Sequence, residues 1–202
     1  MATEQKHSFT RTLSAAIALT VLVIATGAGC GGASTTAPDA STKPETKIEA
    51  MAGYKVYSNS EKGFAIQYPE KWKMEEGFMA TDVIFNAPVK NEFSENLNVI
   101  TKTIPGASNV SLNDLKTSLI DSYKTAVTGF NLIEAKNTTL DGQPGLLFSY
   151  TGSQGTIKGS FVQYFITKGD DAYIITVTRP QNDTKRSEKE FTDMINSFKI
   201  LK

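Results

Sequence analysis

Eight stretches of this chain alternate apolar with polar residues or run continuously apolar, and two show a period near 3.6. The alternating or continuous apolar runs predict strands over Tyr54–Ser58, Gly63–Tyr68, Asp82–Asn86, Leu97–Thr103, Phe130–Thr138, Pro144–Thr151, Ile157–Thr167 and Ala172–Thr178. "VQYFIT" and "YIITVT" are the clearest, being dense in β-branched and aromatic residues. Turn chemistry separates the runs: Asp141-Gly142 with Gln143-Pro144, Gly152–Gly155, and Lys168-Gly169-Asp170-Asp171, the last closing a hairpin.

The helical stretches are well delimited. Ser111 reads as an N-cap with Asp114 three residues on, and Leu112, Leu115, Leu119, Ile120, Tyr123 and Val127 form one apolar face that stops before Gly129. A second helix is expected from about Thr184 to Phe198. There Phe191, Met194, Ile195 and Phe198 lie opposite Lys185, Glu188, Lys189 and Asp193. One apolar face per helix means that each packs on a sheet. Strands, a helix, more strands and a terminal helix predict an α+β fold, with a largely antiparallel sheet and helices packed on its faces.

Three regions differ in composition. Residues 1–29 read as a signal peptide, with Lys6 and Arg11 ahead of the apolar run Leu13–Ala28 and small residues before Cys30. At about 16 residues the run is shorter than the roughly 20 a span needs. Residues 30–52 are rich in Gly, Ala, Ser, Thr and Pro without apolar period, which predicts a flexible tether reaching roughly 25 Å as a coil. Residues 53–202 are one domain's worth of chain. Cys30, the only cysteine, follows Ala-Gly, a pattern similar to the bacterial lipoprotein signal in which the thiol is acylated. The expected place is the extracytoplasmic face of the cell membrane, lipid-anchored. The alternatives are a secreted protein with a free Cys30 after an ordinary signal peptide, or one held by an uncleaved N-terminal anchor.

Charge narrows the partners. The chain carries 21 basic and 21 acidic residues; removing Lys6, Arg11 and Glu4 with the leader leaves 19 against 20. A domain this close to neutral, with no basic stripe, offers nucleic acid no general attraction. No pattern specifies an oligomeric state.

"GFAIQYPEKWK" from Gly63, "GQPGLLFSY", "AYIITVTRP" and the terminal "INSFKIL" together resemble the PsbP-like superfamily of α/β/α-sandwich proteins. The likeness runs from about Ser60 to Lys202. That superfamily includes the extrinsic PsbP subunit of photosystem II, lipoproteins with PsbP-like domains and a nuclear Ran-binding relative. The resemblance implies a single antiparallel sheet with helices on both faces and a non-enzymatic accessory role, mostly binding other proteins and in some members divalent ions. No feature marks the photosystem branch in particular.

The chemistry available is narrow. His7, the only histidine, precedes Cys30, so a hydroxyl nucleophile in the mature part would need a lysine or amine as its base. No Gly-x-Ser-x-Gly or Ser-x-x-Lys occurs. The paired carboxylates Glu75-Glu76 and Asp170-Asp171 are expected in turns, solvated. Asp170, Asp171, Asp141 and Glu134 are oxygen donors for a hard cation, without an Asp-x-Asp-x-Asp-Gly loop to organise them. No metal, cofactor or catalytic residue is therefore expected. Tyr54, Tyr57, Tyr68, Phe78, Phe85 and Phe93 are candidate contact aromatics, most of them core by strand spacing. Phe93, in the polar stretch Val89–Glu95, is the one expected at a partner contact. The reading is a lipid-anchored accessory or protein-binding module, held to the membrane through Cys30 and docking a partner in or on it. Its alternatives are a binding protein for a small ligand or divalent cation and, third, a carboxylate-dependent envelope hydrolase acting through groups such as Glu75, Glu76, Asp82, Asp170 and Asp171.

Overall fold

The structure is a computed structural model that describes residues 48–154 and 157–201. The expected leader, Cys30 and the tether as far as residue 47 lie outside the described residues. Among the described residues ten strands and two α-helices are formed: β1 Tyr54–Asn59, β2 Phe64–Pro69, β3 Lys73–Glu76, β4 Val83–Asn86, β5 Asn96–Thr103, α1 Leu112–Ala126, β6 Thr128–Leu140, β7 Gln143–Gln154, β8 Ile157–Lys168, β9 Asp171–Pro180, α2 Glu188–Asn196 and β10 Lys199–Ile200. Among the described residues no helix is long and apolar enough to cross a membrane.

Every predicted strand is present, but the strands divide between two sheets where the resemblance implied one. Seven lie in the order β3-β4-β5-β9-β8-β7-β6 and three in the order β1-β2-β10, with all neighbours antiparallel. The small sheet and α2 cover one face of the large sheet, and α1 covers part of the other. The first core joins Phe64, Ile66 and Tyr68 to Phe85, Leu97, Val99, Tyr173, Ile175 and Val177, closed by Phe191, Met194 and Phe198. Phe64 stacks on Phe198 at 5.6 Å, and Trp72 meets Phe191 edge-on at 5.1 Å. The second core sets Leu115, Leu119, Tyr123 and Val127 of α1 on Ile100, Leu146, Phe148, Tyr150, Phe161, Phe165 and Ile174. Each buried aromatic or aliphatic side chain contributes about 1.5–3 kcal/mol.

Local chemistry sets the ends of the elements. Ser111 Oγ accepts the Asp114 N–H at 3.1 Å, capping α1 as its sequence predicts. The Asp141-Gly142 turn has both residues left-handed, φ 48° and 73°, the geometry a two-residue hairpin requires. Asp141 also holds the C-terminus: its oxygens accept from Lys199 Nζ and the Ile200 N–H, both at 2.8 Å. Edge strand β6 is blunted by two register shifts and by the Glu134–Lys136 ion pair.

Three expectations are corrected. Glu75-Glu76 lies on β3, not in a turn, because pairing with β4 draws the charged tetrad into the large sheet. Gly152 is not in a hairpin connection; β7 runs through it to Gln154, and a Cβ there would fall 2.3 Å from Val127 Cγ1, so glycine lets the end of α1 close on the sheet. The second helix begins at Glu188 rather than Thr184, because Arg179 Nη1 donates to the Thr184 carbonyl at 2.7 Å and Arg186 turns inward.

Candidate functional site

The connection between β4 and β5 carries Phe93. Its base is closed by the Ala87 N–H to the Glu95 carbonyl, 2.8 Å, and by Ser94 Oγ to the Ala87 carbonyl, 2.7 Å. At its tip Lys90 and Phe93 exchange both backbone bonds, 3.0 and 3.1 Å, around Asn91 and Glu92 at φ 51° and 61°. A left-handed glutamate is unfavourable by about 1–2 kcal/mol, so the turn is held by contacts outside itself.

Arg186 supplies them. Its Nε meets Glu95 Oε2 at 2.9 Å, Nη1 donates to the Lys90 carbonyl at 3.1 Å and Nη2 to the Phe93 carbonyl at 3.2 Å. Ser187 Oγ donates to the same Glu95 oxygen at 2.5 Å. Glu95 is fully buried, yet its second oxygen, Oε1, has no partner. Arg179 stands over the Phe191 ring at 4.9 Å; burial pulls its pKa below the usual guanidinium range, and the nearby charges of Glu95 and Glu188 oppose that shift. Phe93 is half-buried at the end of this clamp, and Val89 beside it is 60 % exposed.

A second polar feature, without warning in the sequence reading, lies on the α1 face of the large sheet. Cross-strand pairing aligns Glu75, Ile84, Asn98, Thr176, Gln163 and Phe148 in one row. Lys73, Asn86, Asn96, Thr178, Phe161 and Tyr150 form the next. Near α1, Tyr123 OH donates to Gln163 Oε1 at 2.6 Å and Gln163 Nε2 donates to Thr176 Oγ1 at 3.1 Å, whereas the buried Tyr150 hydroxyl has no partner. Burial pushes the Tyr123 and Tyr150 phenols far up, so both stay protonated. Further from α1 the groups are not satisfied. Asn96 Oδ1, both polar atoms of the Asn98 amide and Thr178 Oγ1 are buried without a partner. Ile84 beside them is fully buried yet belongs to neither apolar core. Alternation of Asn96 with Asn98, and of Thr176 with Thr178, was the available signal.

The other candidate residues serve the fold. Asp82 Oδ2 accepts from the Thr101 N–H and hydroxyl and its Oδ1 pairs with Lys62, while Glu75 pairs with Lys73. Asp170 accepts the Gly106 N–H at 2.8 Å and Asp171 the Thr103 hydroxyl at 2.9 Å. Among the described residues no group of three or more His, Cys, Asp or Glu side chains is placed to hold a metal ion. Tyr57, Tyr68 and Phe85 are core residues, whereas Tyr54 and Phe78 are half-buried. Burial, outweighing the bond from Asn59, pushes the Tyr57 phenol to about 12.

A family model described as PsbP-like protein matches residues 13–200. Among solved structures, the chain is similar to the cyanobacterial PsbP, CyanoP, of Synechocystis sp. PCC 6803, at 20% identity over 78% of this chain and 99% of that one, TM-score 0.57. LpqN of Mycobacterium tuberculosis, involved in cell envelope biogenesis, matches at 12% identity over 69% and 83% of the two chains, TM-score 0.56. The Ran-binding protein Mog1p of Saccharomyces cerevisiae matches at 9% identity over 73% and 95%, TM-score 0.51. Among curated protein sequences nothing matches the chain.

Proposed function

Because the chain belongs to the PsbP-like protein family, we propose that it is an accessory binding module, anchored by lipid on Cys30 to the extracytoplasmic face of the membrane, that docks a protein partner through the β4–β5 connection. The observation that carries this reading is the Lys90–Phe93 turn. Two consecutive left-handed residues other than glycine, fixed from below by the half-buried Arg186, hold an exposed valine and a half-buried phenylalanine in one pose. The left-handed pair is the geometry a two-residue turn requires; what is unusual is glutamate where glycine would be unstrained, and a rigid apolar contact so held binds with little loss of entropy.

The last residues of the expected tether are tied to the small sheet: Gln67 on β2 donates to the Glu49 carbonyl at 3.1 Å and accepts the Met51 N–H at 2.7 Å. Confinement by an anchor raises the effective concentration of a surface partner, and a contact as small as this turn then suffices. Of the groups named for a carboxylate-dependent enzyme, Glu75, Asp82, Asp170 and Asp171 are bound to donors of their own fold.

The test places a photoreactive amino acid at Val89 in the full-length protein, in its own membrane, with Lys116 on α1 as control site. The expected result is one recurring crosslinked protein from Val89, none from Lys116, and loss of the product in Phe93→Ala. Equal capture from both sites, or capture unaffected by Phe93→Ala, removes the β4–β5 connection as the docking site.

A further inference from the structure

We propose that the outer edge of β3 receives an extended segment of the protein partner, added to the large sheet as one further strand. The inference rests on the docking turn of the β4–β5 connection and names the element that the partner brings to it.

The ladder fixes which groups of β3 face outward. The Gly77 N–H bonds the Asp82 carbonyl at 3.2 Å, and the register continues through Glu76–Val83, Glu75–Ile84, Met74–Phe85 and Lys73–Asn86. Bonded and unbonded pairs alternate in an antiparallel ladder, so Lys73 and Glu75 direct their backbone groups at β4. Met74 and Glu76 direct theirs away from the sheet, and among the described residues no strand pairs with β3 on that side. Two N–H and two C=O groups therefore stand in line, on a strand whose residues other than Glu75 are all exposed. The opposite edge of the large sheet differs: β6 is broken by two register shifts, whereas β3 pairs without one.

Apolar tips flank this edge. Past Glu76 the chain carries Met79, 61% exposed and left-handed at φ 44°, and then Ala80 at φ 67°. Past the Lys73 end, three residues beyond its pairing partner Asn86, stands the exposed Val89 of the docking turn. Met74 lies between them with its side chain 36% exposed. A strand edge with an apolar contact at either end suits an added strand: main-chain bonds supply affinity, and the side chains supply specificity.

Charge narrows the segment further. Lys73 and Glu75 satisfy each other at 3.3 Å on the α1 face of the sheet. Glu76, on the other face with Met74, joins no ion pair among the described residues. Opposite charges across neighbouring strands attract and like charges repel. The partner segment is thus one with a lysine or arginine opposite Glu76 and apolar residues reaching Met79 and Val89.

The test exploits the direction of one N–H. Met74→Pro removes an N–H that β4 does not use, so the native ladder survives while an added strand loses a bond. Met74→Val keeps that N–H and changes only the side chain. Both are made in the full-length protein with the photoreactive amino acid at Val89, in its own membrane, and the crosslinked product is quantified. Met74→Val is expected to keep capture within about twofold and Met74→Pro to lower it about tenfold or more, the two variants melting alike. Equal capture by both variants, or equal loss in both, overturns the edge pairing and leaves the docking turn standing. No product from Val89 with Met74 unchanged removes the docking turn itself, and the edge pairing with it. Should Met74→Pro fail to fold, Glu76→Lys decides: a loss of capture of about tenfold is expected, and undiminished capture overturns the proposal.

Discussion

Replacing Arg186 with alanine tests the clamp beneath the β4–β5 connection most severely. The guanidinium's exposure is 12% and that of its partner carboxylate, Glu95, is nil. Truncation leaves that carboxylate with the Ser187 hydroxyl as its one hydrogen-bond donor, and leaves the Lys90 and Phe93 carbonyls without theirs. Breaking a buried pair from one side costs about 3–5 kcal/mol, mostly for the charge left behind. The two carbonyls are nearer solvent and add little. The expected loss is therefore about 4 kcal/mol, read by urea denaturation with the fluorescence of Trp72, the only tryptophan, 4% exposed against Phe191. Removing both charges, as Glu95→Leu with Arg186→Met, is expected to restore stability to within about 1.5 kcal/mol of the starting protein. Were Arg186→Ala to lie within about 1 kcal/mol of wild type, Glu95 would have to be neutral or hydrated in the fold, and the clamp argument would fail.

Other consequences are equally direct. Glu92→Gly relieves a left-handed residue in the tight turn and is expected to raise stability by about 0.5–1 kcal/mol, measured in the same urea assay. Gly145→Ala sets a Cβ 2.3 Å from Ile166 Cδ1 and 2.4 Å from the Phe165 carbonyl, so a loss of about 2 kcal/mol or more is expected, visible as a lower Tm. At Asp141, burial pushes the carboxyl pKa up, but the bond from Lys199, the Ile200 N–H and the charges of Lys199 and Lys168 outweigh it and leave the net value low. A carboxylate with a depressed folded pKa stabilises above its unfolded value of about 3.9 and loses that contribution as pH falls through the folded one. Asp141→Asn should thus be less stable than wild type at neutral pH, with the gap closing only below about pH 4 in thermal melts across pH.

The sequence pattern reveals those parts of the structure that depend on neighbours close along the chain. Ser111 caps α1 because its partner is three residues away, and Asp141-Gly142 turns where its own φ preference directs. Strands β2, β8 and β9 are legible because burial on both faces requires runs such as "FAIQYP" and "YIITVT". β3, sequence KMEE, has no apolar alternation and is a strand only because β4 offers it a ladder. Arg186 and Glu95 are far apart in the chain, and each reads locally as a solvated charge. The polar rows are hidden for a related reason. Asn96-x-Asn98 and Thr176-x-Thr178 read as the wet face of a strand, and only the cross-strand register shows them side by side and buried.

β10 closes the small sheet by pairing Lys199 with Ala65 and Ile200 with Phe64, and the Leu201 N–H then bonds the Gly63 carbonyl at 2.9 Å. The first strands described are thus completed by a strand far along the chain, and the Phe64–Phe198 stack cannot form before that segment is made. Such long-range pairing must overcome the loop-closure entropy of nearly the whole domain, which slows folding. During synthesis β1 and β2 can pair with each other, but the second edge of β2 waits for β10 to emerge. Until then the face of Phe64 that meets Phe198 stays uncovered, and that interval is the one in which a chaperone has most to hold.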